Sequence, residues 1–160
     1  MTGLDSLYSE IILDHYRSPH GSGLREPFDA ESHQVNPLCG DEITLRVHLA
    51  DEGSAPSIRD VSYDARGCSI SQASASMLHD LVAGRTVQQA AARLSAVRAM
   101  LLDPSGDEPD DDLLGDAVAV AGVAKFPARV KCALLPWAAF TDAMARAGVS
   151  VREEESKERS

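Results

Sequence analysis

Apolar residues first recur at the spacing of one helix face. They occupy positions 4, 7, 8, 11 and 12, the i, i+3, i+4, i+7, i+8 pattern of an amphipathic helix. Pro19 disfavours helical backbone just before it, so the helix should end by about Arg17. The stretch from 18 to 41 is punctuated by proline and glycine, and we expect a long ordered loop there. A loop of this length in a small domain usually carries function.

Strict alternation then replaces the helical spacing. Apolar and polar residues alternate from Ile43 to Leu49, which predicts a strand with one buried and one solvent-facing side. A turn around Gly53 separates it from a second predicted strand through residues 61–65. Because the connection is short, the two strands should form an antiparallel hairpin. Residues 33–35 could add a third strand.

Helical spacing returns in the second half of the chain. Apolar residues share one helix face over 70–82, and Gly84 follows as a stop signal. Thr86 and Gln89 form a capping-box pattern, and the helix that they open should run to about Leu102.

The last part of the chain also predicts helices. A short helix is expected over 113–120, and Pro127 suits the first turn of a final helix. Pro136 falls inside that helix, where it cannot donate to the carbonyl of Cys132, so we expect a kink or an early turn. Strands followed by helices indicate an α+β fold, with a small antiparallel sheet of about three strands and helices packed on one face.

The length of 160 residues suits a single domain, which we place over 1–148. Residues 103–112 are dominated by acidic side chains, proline and glycine, and predict an exposed, solvated linker. Residues 149–160 are charged and predict a disordered tail.

Charge and cysteine usage exclude several classes of function. The formal net charge of -10 argues against non-specific binding to nucleic acid or to anionic membranes. The sequence has neither an apolar run long enough to span a membrane nor a signal-peptide pattern at its start, so we expect a cytoplasmic protein. Three cysteines, an odd count, make a disulfide framework a poor explanation and favour metal binding or thiol chemistry.

The three cysteines each lie at the boundary of a predicted element, and such boundaries can meet at one end of an α+β fold. Cys39 stands in a polar loop just before the first clear strand. Cys68 opens a helix, where the helix dipole favours a thiolate. Cys132 has the basic Arg129 and Lys131 close by, and these also favour the deprotonated form.

Three thiolates leave a tetrahedral zinc site one ligand short. Asp41, two residues after Cys39, is the natural fourth ligand, because a carboxylate oxygen binds zinc at about the distance of an imidazole nitrogen. The spacing alone leaves the alternative open that the cysteines are small buried apolar residues. None of the histidines adjoins a cysteine in sequence, and we expect all five at the surface: His15, His20, His33, His48 and His79.

The segments around the three cysteines resemble the signature blocks of one family. They are NPLCGD at 36–41, GCSIS at 67–71 followed by ASAS at 73–76, and FPARVKC at 126–132. In this order they resemble SufU-type proteins of the IscU-like superfamily of iron–sulfur assembly proteins. The resemblance runs from about Leu4 to Ala147 and implies an IscU/SufE-like fold.

Three features favour the SufU type over the IscU-type scaffold branch. Lys131 stands where that branch has a histidine before the last cysteine, and FPARVK lacks the second of that branch's paired prolines. The stretch between Cys68 and Cys132 is also longer. The resemblance implies a zinc-dependent sulfurtransferase. Such a protein accepts persulfide sulfur from a cysteine desulfurase that carries pyridoxal phosphate, of the SufS type, and supplies downstream cluster-assembly proteins.

The resemblance also implies roles for individual residues. One zinc ion per chain would be held by Cys39, Asp41, Cys68 and Cys132. Cys39 would be the catalytic sulfur acceptor. Arg129 would offset the charge of the site or contact the partner.

Two other functions remain open at this point. The same cysteines could hold a 2Fe–2S cluster transiently on a scaffold that assembles and then transfers it, since thiolates bind iron as well as zinc. Alternatively, the protein could be a non-enzymatic adaptor in which zinc is only structural.

Overall fold

The computed structural model describes residues 3–38, 40–52, 55–103 and 111–151. Its elements follow one another in the order α1 (Gly3–Arg17), β1 (Ala30–Asn36), β2 (Asp41–Glu52), β3 (Ala55–Arg66), α2 (Ser69–Val82), β4 (Arg85–Thr86), α3 (Val87–Leu102), α4 (Asp111–Leu114), a 3-10 helix (Gly115–Lys125) and α5 (Pro127–Arg146).

The four strands form one antiparallel sheet in the order β1-β2-β3-β4. The predicted α+β fold is confirmed, with four strands in place of about three. The additional strand, β4, has only two residues and pairs with Ser57 and Ile58 of β3. A strand this short leaves no alternating pattern from which it could be predicted.

One face of the sheet packs against α2 and α5 and forms the core. In the register of β2 and β3, Leu45 lies opposite Tyr63 and Val47 opposite Val61, and all four are at most 1% exposed. Trp137 of α5 is also buried against this core. The alternation that predicted β2 therefore places its apolar side chains under the helices, as expected of a half-buried strand.

The loop between α1 and β1 covers part of the opposite face of the sheet. The Arg25 amide donates to Ser62 Oγ at 3.2 Å, and His48 Nδ1 lies 2.7 Å from the carbonyl oxygen of Pro27. His48 is therefore 3% exposed, and the prediction that it lies at the surface is wrong. Alternation does place it opposite the core, but the loop shields that side from solvent.

His15 also contradicts the prediction of surface histidines, since it is 3% exposed. It lies three and four residues after Ile12 and Ile11, on the apolar face with which α1 packs against α2. Its two ring nitrogens contact Ser76 and Asp116, so polar partners accompany its burial.

Local sequence signals predicted four helix ends correctly: α1 ends at Arg17, α2 at Val82 and α3 at Leu102, and α5 begins at Pro127. The capping box of α3 is present. The Gln89 amide donates to Thr86 Oγ1 at 3.1 Å, and the Thr86 amide donates to Gln89 Oε1 at 2.9 Å.

Two helical segments differ from the prediction. The short helix expected over 113–120 is one turn of α-helix, α4, followed by a 3-10 helix that continues to Lys125. α5 runs through Pro136 to Arg146, so the helix makes no early turn. Its buried side chains lie on both sides of Pro136, and their packing offsets the loss of one backbone hydrogen bond.

The predicted acidic linker and charged tail lie mostly outside the described residues, which exclude 104–110 and 152–160. Before the second of these gaps, Val149 packs against the core and Val151 is 2% exposed. Over the described ranges, none of the helices combines the length and the apolar character needed to cross a bilayer.

Candidate metal centre

Asp41, Cys68 and Cys132, three of the four predicted metal ligands, lie together in the folded chain. One carboxylate oxygen and the two sulfur atoms lie within 4.8 Å of one another. Asp41 is the first residue of β2, Cys68 directly precedes α2, and Cys132 lies in the second turn of α5. We call these three residues the Asp–Cys centre.

The Asp41 carboxylate is completely buried. Its Oδ1 accepts the backbone amide of Cys68 at 2.8 Å, and its Oδ2 lies 3.5 Å from Cys68 Sγ. Gly67 makes this approach possible: its φ is +133°, and a Cβ there would come within 2.8 Å of the Asp41 Cα. The turn before α2 is thus shaped around the carboxylate.

Cys68 is the N-cap residue of α2, as its position in the sequence predicted. Its Sγ lies 3.9 Å from Ser71 Oγ, and that hydroxyl donates to the Cys68 carbonyl at 3.1 Å. The positive end of the α2 dipole therefore faces both the Cys68 sulfur and the Asp41 carboxylate. This field stabilises negative charge on either group.

Cys132 is 4% exposed, and its Sγ lies 3.5 Å from the carbonyl oxygen of Ala128 and 3.9 Å from Asn36 Nδ2. The adjacent Ala133 carbonyl accepts the Ser74 hydroxyl at 2.6 Å, which joins α5 to α2 beside the centre. Cys68 is half-buried and Cys132 is buried. The two cysteines are thus positioned by packing among β1, α2 and α5 rather than by a single loop.

Cys39, the predicted catalytic residue and fourth ligand, lies outside the described residues. Its neighbours are described: Leu38 is 71% exposed, and Gly40 is exposed with a φ of +72°. The Gly40 amide donates to the carbonyl of Asn36 at 2.8 Å. Arg129 is exposed in the first turn of α5, one turn before Cys132.

The donor set of the Asp–Cys centre fits zinc. Two sulfur atoms and a carboxylate oxygen are ligands that zinc accepts in proteins. A fully buried carboxylate is costly unless charge or hydrogen bonds compensate it, and a cation between the three groups would supply that charge. The residues present therefore suit a bound zinc ion.

A second group of potential ligands was missed by the sequence reasoning. His15, His20 and Asp80 each offer one ligand atom, and these atoms also lie within 4.8 Å of one another. We call this group the His–Asp cluster. The position of His15 on the apolar face of α1 was a usable signal, whereas the approach of Asp80 depends on tertiary packing.

Comparison with known proteins gives consistent matches along most of the chain. The family model described as the NifU-like N-terminal domain matches residues 7–133. The chain is 39% identical over 145 residues to the zinc-dependent sulfurtransferase SufU of Bacillus subtilis, covering 89% of this chain and 92% of that one. It is 36% identical over 146 residues to the iron–sulfur cluster assembly scaffold protein IscU of Streptococcus pyogenes, covering 91% and 87%.

A solved structure matches over a similar length. It is a protein of Fervidobacterium islandicum described as a candidate iron–sulfur cluster assembly scaffold of the SUF system. The TM-score is 0.70 at 33% sequence identity, and the match covers 87% of this chain and 97% of that one. The chain, with its α+β fold and its Asp–Cys centre, belongs to the NifU-like N-terminal domain family.

Proposed function

We propose that this protein is a zinc-dependent sulfurtransferase that accepts persulfide sulfur from a cysteine desulfurase and supplies it for iron–sulfur cluster assembly. The observation that carries the proposal is the Asp–Cys centre, in which two cysteine sulfur atoms lie within 4.8 Å of an oxygen of a buried carboxylate. The B. subtilis relative, whose name describes this activity, supports the choice. We place the reaction in the cytoplasm, where thiols stay reduced.

Asp41, Cys68 and Cys132 would hold the zinc ion, and Cys39 is the proposed fourth ligand. Bound zinc would keep its cysteine ligands deprotonated at neutral pH. Asp41 is fixed by the Cys68 amide and by the turn at Gly67, so it would hold its position while other ligands change.

Cys39 is the proposed sulfur acceptor. Its thiolate would attack the outer sulfur of the desulfurase persulfide, forming a new S–S bond to Cys39. The S–S bond of the desulfurase breaks, and its cysteine leaves as a thiolate. A free cysteine is only a few per cent thiolate at neutral pH, so the environment must favour ionisation.

The surface on either side of position 39 suits a reaction with another protein. Leu38 and Gly40 are exposed, so a partner can reach this part of the chain. Arg129 is exposed one helical turn before Cys132 and provides a positive charge for a partner's acidic group or for the site itself. Cys68 and Cys132 are half-buried and buried, which makes them better ligands than acceptors.

The experiment is a desulfurase assay that measures alanine production from cysteine, with and without the zinc-loaded protein. We expect strong stimulation by the native chain and loss of it in Cys39→Ser. Mass spectrometry should show one added sulfur atom on Cys39. A Cys39→Ser protein that still accepts sulfur would rule out this residue as the acceptor.

Asp41→Ala tests the metal part of the proposal. We expect loss of bound zinc and at least a tenfold loss of stimulation, since one ligand of four is removed. Glu42→Ala is the matched control, because Glu42 is the next carboxylate in β2 and its side chain is half exposed. Full zinc and full stimulation in Asp41→Ala would remove Asp41 from the site.

The S. pyogenes relative favours a second candidate, a scaffold that assembles a cluster on the same cysteines. Brown protein with visible absorbance after anaerobic purification would support the scaffold. Colourless protein that contains zinc and stimulates the desulfurase would support the sulfurtransferase. If chelation unfolds the protein and no sulfur is ever accepted, zinc has only a structural role.

A further inference from the structure

The His–Asp cluster lies at the opposite end of α2 from the Asp–Cys centre. His15 is in the last turn of α1, His20 is in the loop that follows, and Asp80 is in the last turn of α2. Asp80 comes twelve residues after Cys68. At about 1.5 Å of rise per residue, α2 separates the two groups by about 18 Å. One metal ion therefore cannot serve both.

We propose that the His–Asp cluster binds a divalent first-row transition metal ion, of the class of Zn²⁺, Co²⁺ and Fe²⁺. Two imidazole nitrogens and one carboxylate oxygen form a donor set that these ions accept. In a tetrahedral zinc site with bonds of about 2.0 Å, ligand atoms lie about 3.3 Å apart. Atoms that already lie within 4.8 Å of one another would close by about 1.5 Å at most.

His15 is positioned as metal-ligating histidines usually are. Its Nε2 lies 2.9 Å from Asp116 Oδ2, and an ionised carboxylate only accepts, so Nε2 carries the proton. Nδ1 then presents its lone pair toward Ser76 Oγ, 2.6 Å away. Since His15 is buried, this orientation is held in place. Ser76 Oγ also accepts the His20 amide at 2.9 Å, so the Ser76 side chain must turn about its Cα–Cβ bond to make room for an ion at Nδ1.

His20 and Asp80 provide the solvent-accessible side of the cluster. His20 Nδ1 lies 2.7 Å from Asp80 Oδ2, and the two side chains are 49% and 41% exposed. The His20 ring centroid lies 4.8 Å from that of His15. The other oxygen of Asp80 lies 3.4 Å from His79 Nδ1, which orients the carboxylate. An ion can therefore reach the cluster from solvent on the side of His20 and Asp80, with the buried His15 on the opposite side.

A cavity of about 410 Å³ adjoins the cluster and has His15 and His20 in its wall. The carboxylates of Asp14 and Asp116 also line it, while Arg17 is its basic residue. This space has room for water molecules beside the two histidines. The excess of carboxylates around the two histidines favours a cation.

The test is a titration with Co²⁺ of protein that carries one equivalent of zinc, enough for the Asp–Cys centre alone, followed by absorption spectroscopy. Because such sites usually bind zinc more tightly than cobalt, cobalt should leave the Asp–Cys centre undisturbed. We expect one equivalent of cobalt with visible d–d bands and no thiolate-to-cobalt charge-transfer band. The ring proton signals of His15 and His20 should broaden in nuclear magnetic resonance spectra.

Variants identify the ligands. His20→Ala and Asp80→Asn should abolish cobalt binding, and both residues are exposed enough for the fold to persist. Asp116→Asn should weaken binding about 10- to 100-fold, as is usual when the partner of a ligating histidine is removed. His33→Ala is the matched control, since His33 and Glu42 also form an exposed pair at 2.7 Å. It should bind cobalt fully.

Two results would overturn the proposal. One is no bound cobalt at concentrations up to about 1 mM. The other is binding that His20→Ala and Asp80→Asn do not change, or that shows a thiolate charge-transfer band. The outcome is independent of sulfur transfer: a protein that fails the desulfurase assay can still bind cobalt here, and Asp41→Ala should bind it normally.

Discussion

Among single residues, Gly67 controls how closely Asp41 can approach the start of α2. Its φ of +133° is strained for any other residue, and an added Cβ would come within 2.8 Å of the Asp41 Cα. We expect Gly67→Ala to displace Asp41, to release zinc from the Asp–Cys centre and to lower stability by about 1–3 kcal/mol. Zinc content and urea unfolding measure the two effects.

Gly23→Ala is the control variant, because it introduces backbone strain without displacing Asp41. Gly23 has a φ of +103°, and a Cβ there would meet nothing within 4 Å. This variant should lose stability to a similar extent and keep its zinc. Full zinc content in Gly67→Ala would show that the turn does not set the position of Asp41.

At this same scale, sequence reasoning placed Asp41 with two of the cysteines, and it failed for two histidines whose burial depends on packing. Asp41 was predicted as a ligand because a zinc site with three thiolates needs one more donor; it lies beside Cys68 and Cys132, and its role as a ligand stays a prediction. His15 was assigned to the surface because it is polar, although its position continues the apolar face of α1. The burial of His48 had no local signal, since it depends on a loop more than eighteen residues earlier in the chain.

At the scale of elements, Asp142 joins α5 to the sheet. Arg146 Nε, 2.8 Å away, and the Ser32 hydroxyl of β1, 2.7 Å away, both donate to its carboxylate. Hydrogen bonds from Arg146 and then Ser32 hold the pKa of Asp142 below its usual value. The stabilisation is present above the unfolded pKa of 3.8 and is lost as the pH falls through the folded pKa.

Asp142→Asn should therefore destabilise the protein at pH 7 and flatten the fall in stability below about pH 4. The loss should be at most about 1 kcal/mol, because the pair is partly exposed and solvent screens it. Urea unfolding at several pH values measures it. Asp64→Asn is the control, as Asp64 is exposed and lies 4.0 Å from Arg66. An unchanged pH profile in Asp142→Asn would contradict the assignment.

Helix ends were predictable where a few neighbouring residues determine them. Thr86 with Gln89, Pro19 and Pro127 each act through their own backbone or side chain. Pro136 misled the prediction because helix rules treat proline as a local defect. The buried contacts of the rest of α5 outweigh one missing hydrogen bond, and those contacts come from other elements.

Across the whole molecule, the Asp–Cys centre joins segments that are far apart in sequence. The Cys68 amide donates a hydrogen bond to Asp41, which is 27 residues away in sequence, and Cys132 contacts Asn36, which is 96 residues away. Composition and spacing alone indicated only that these side chains could lie together. The resemblance of the three segments to one family is what led us to expect it. Tertiary packing of β1, β2, α2 and α5 is what brings the groups together.

Zinc at this centre should therefore stabilise the entire fold, because the unfolded chain cannot offer the same ligands together. At free zinc 100-fold above its Kd, the gain is about 2.7 kcal/mol, which corresponds to a Tm roughly 5–10 °C higher. Chelation should reverse this in the native chain and in His20→Ala, whose Asp–Cys centre is intact. In Asp41→Ala, chelation should change the Tm little. A native Tm that stays constant while zinc is removed would mean that the centre does not couple metal binding to folding.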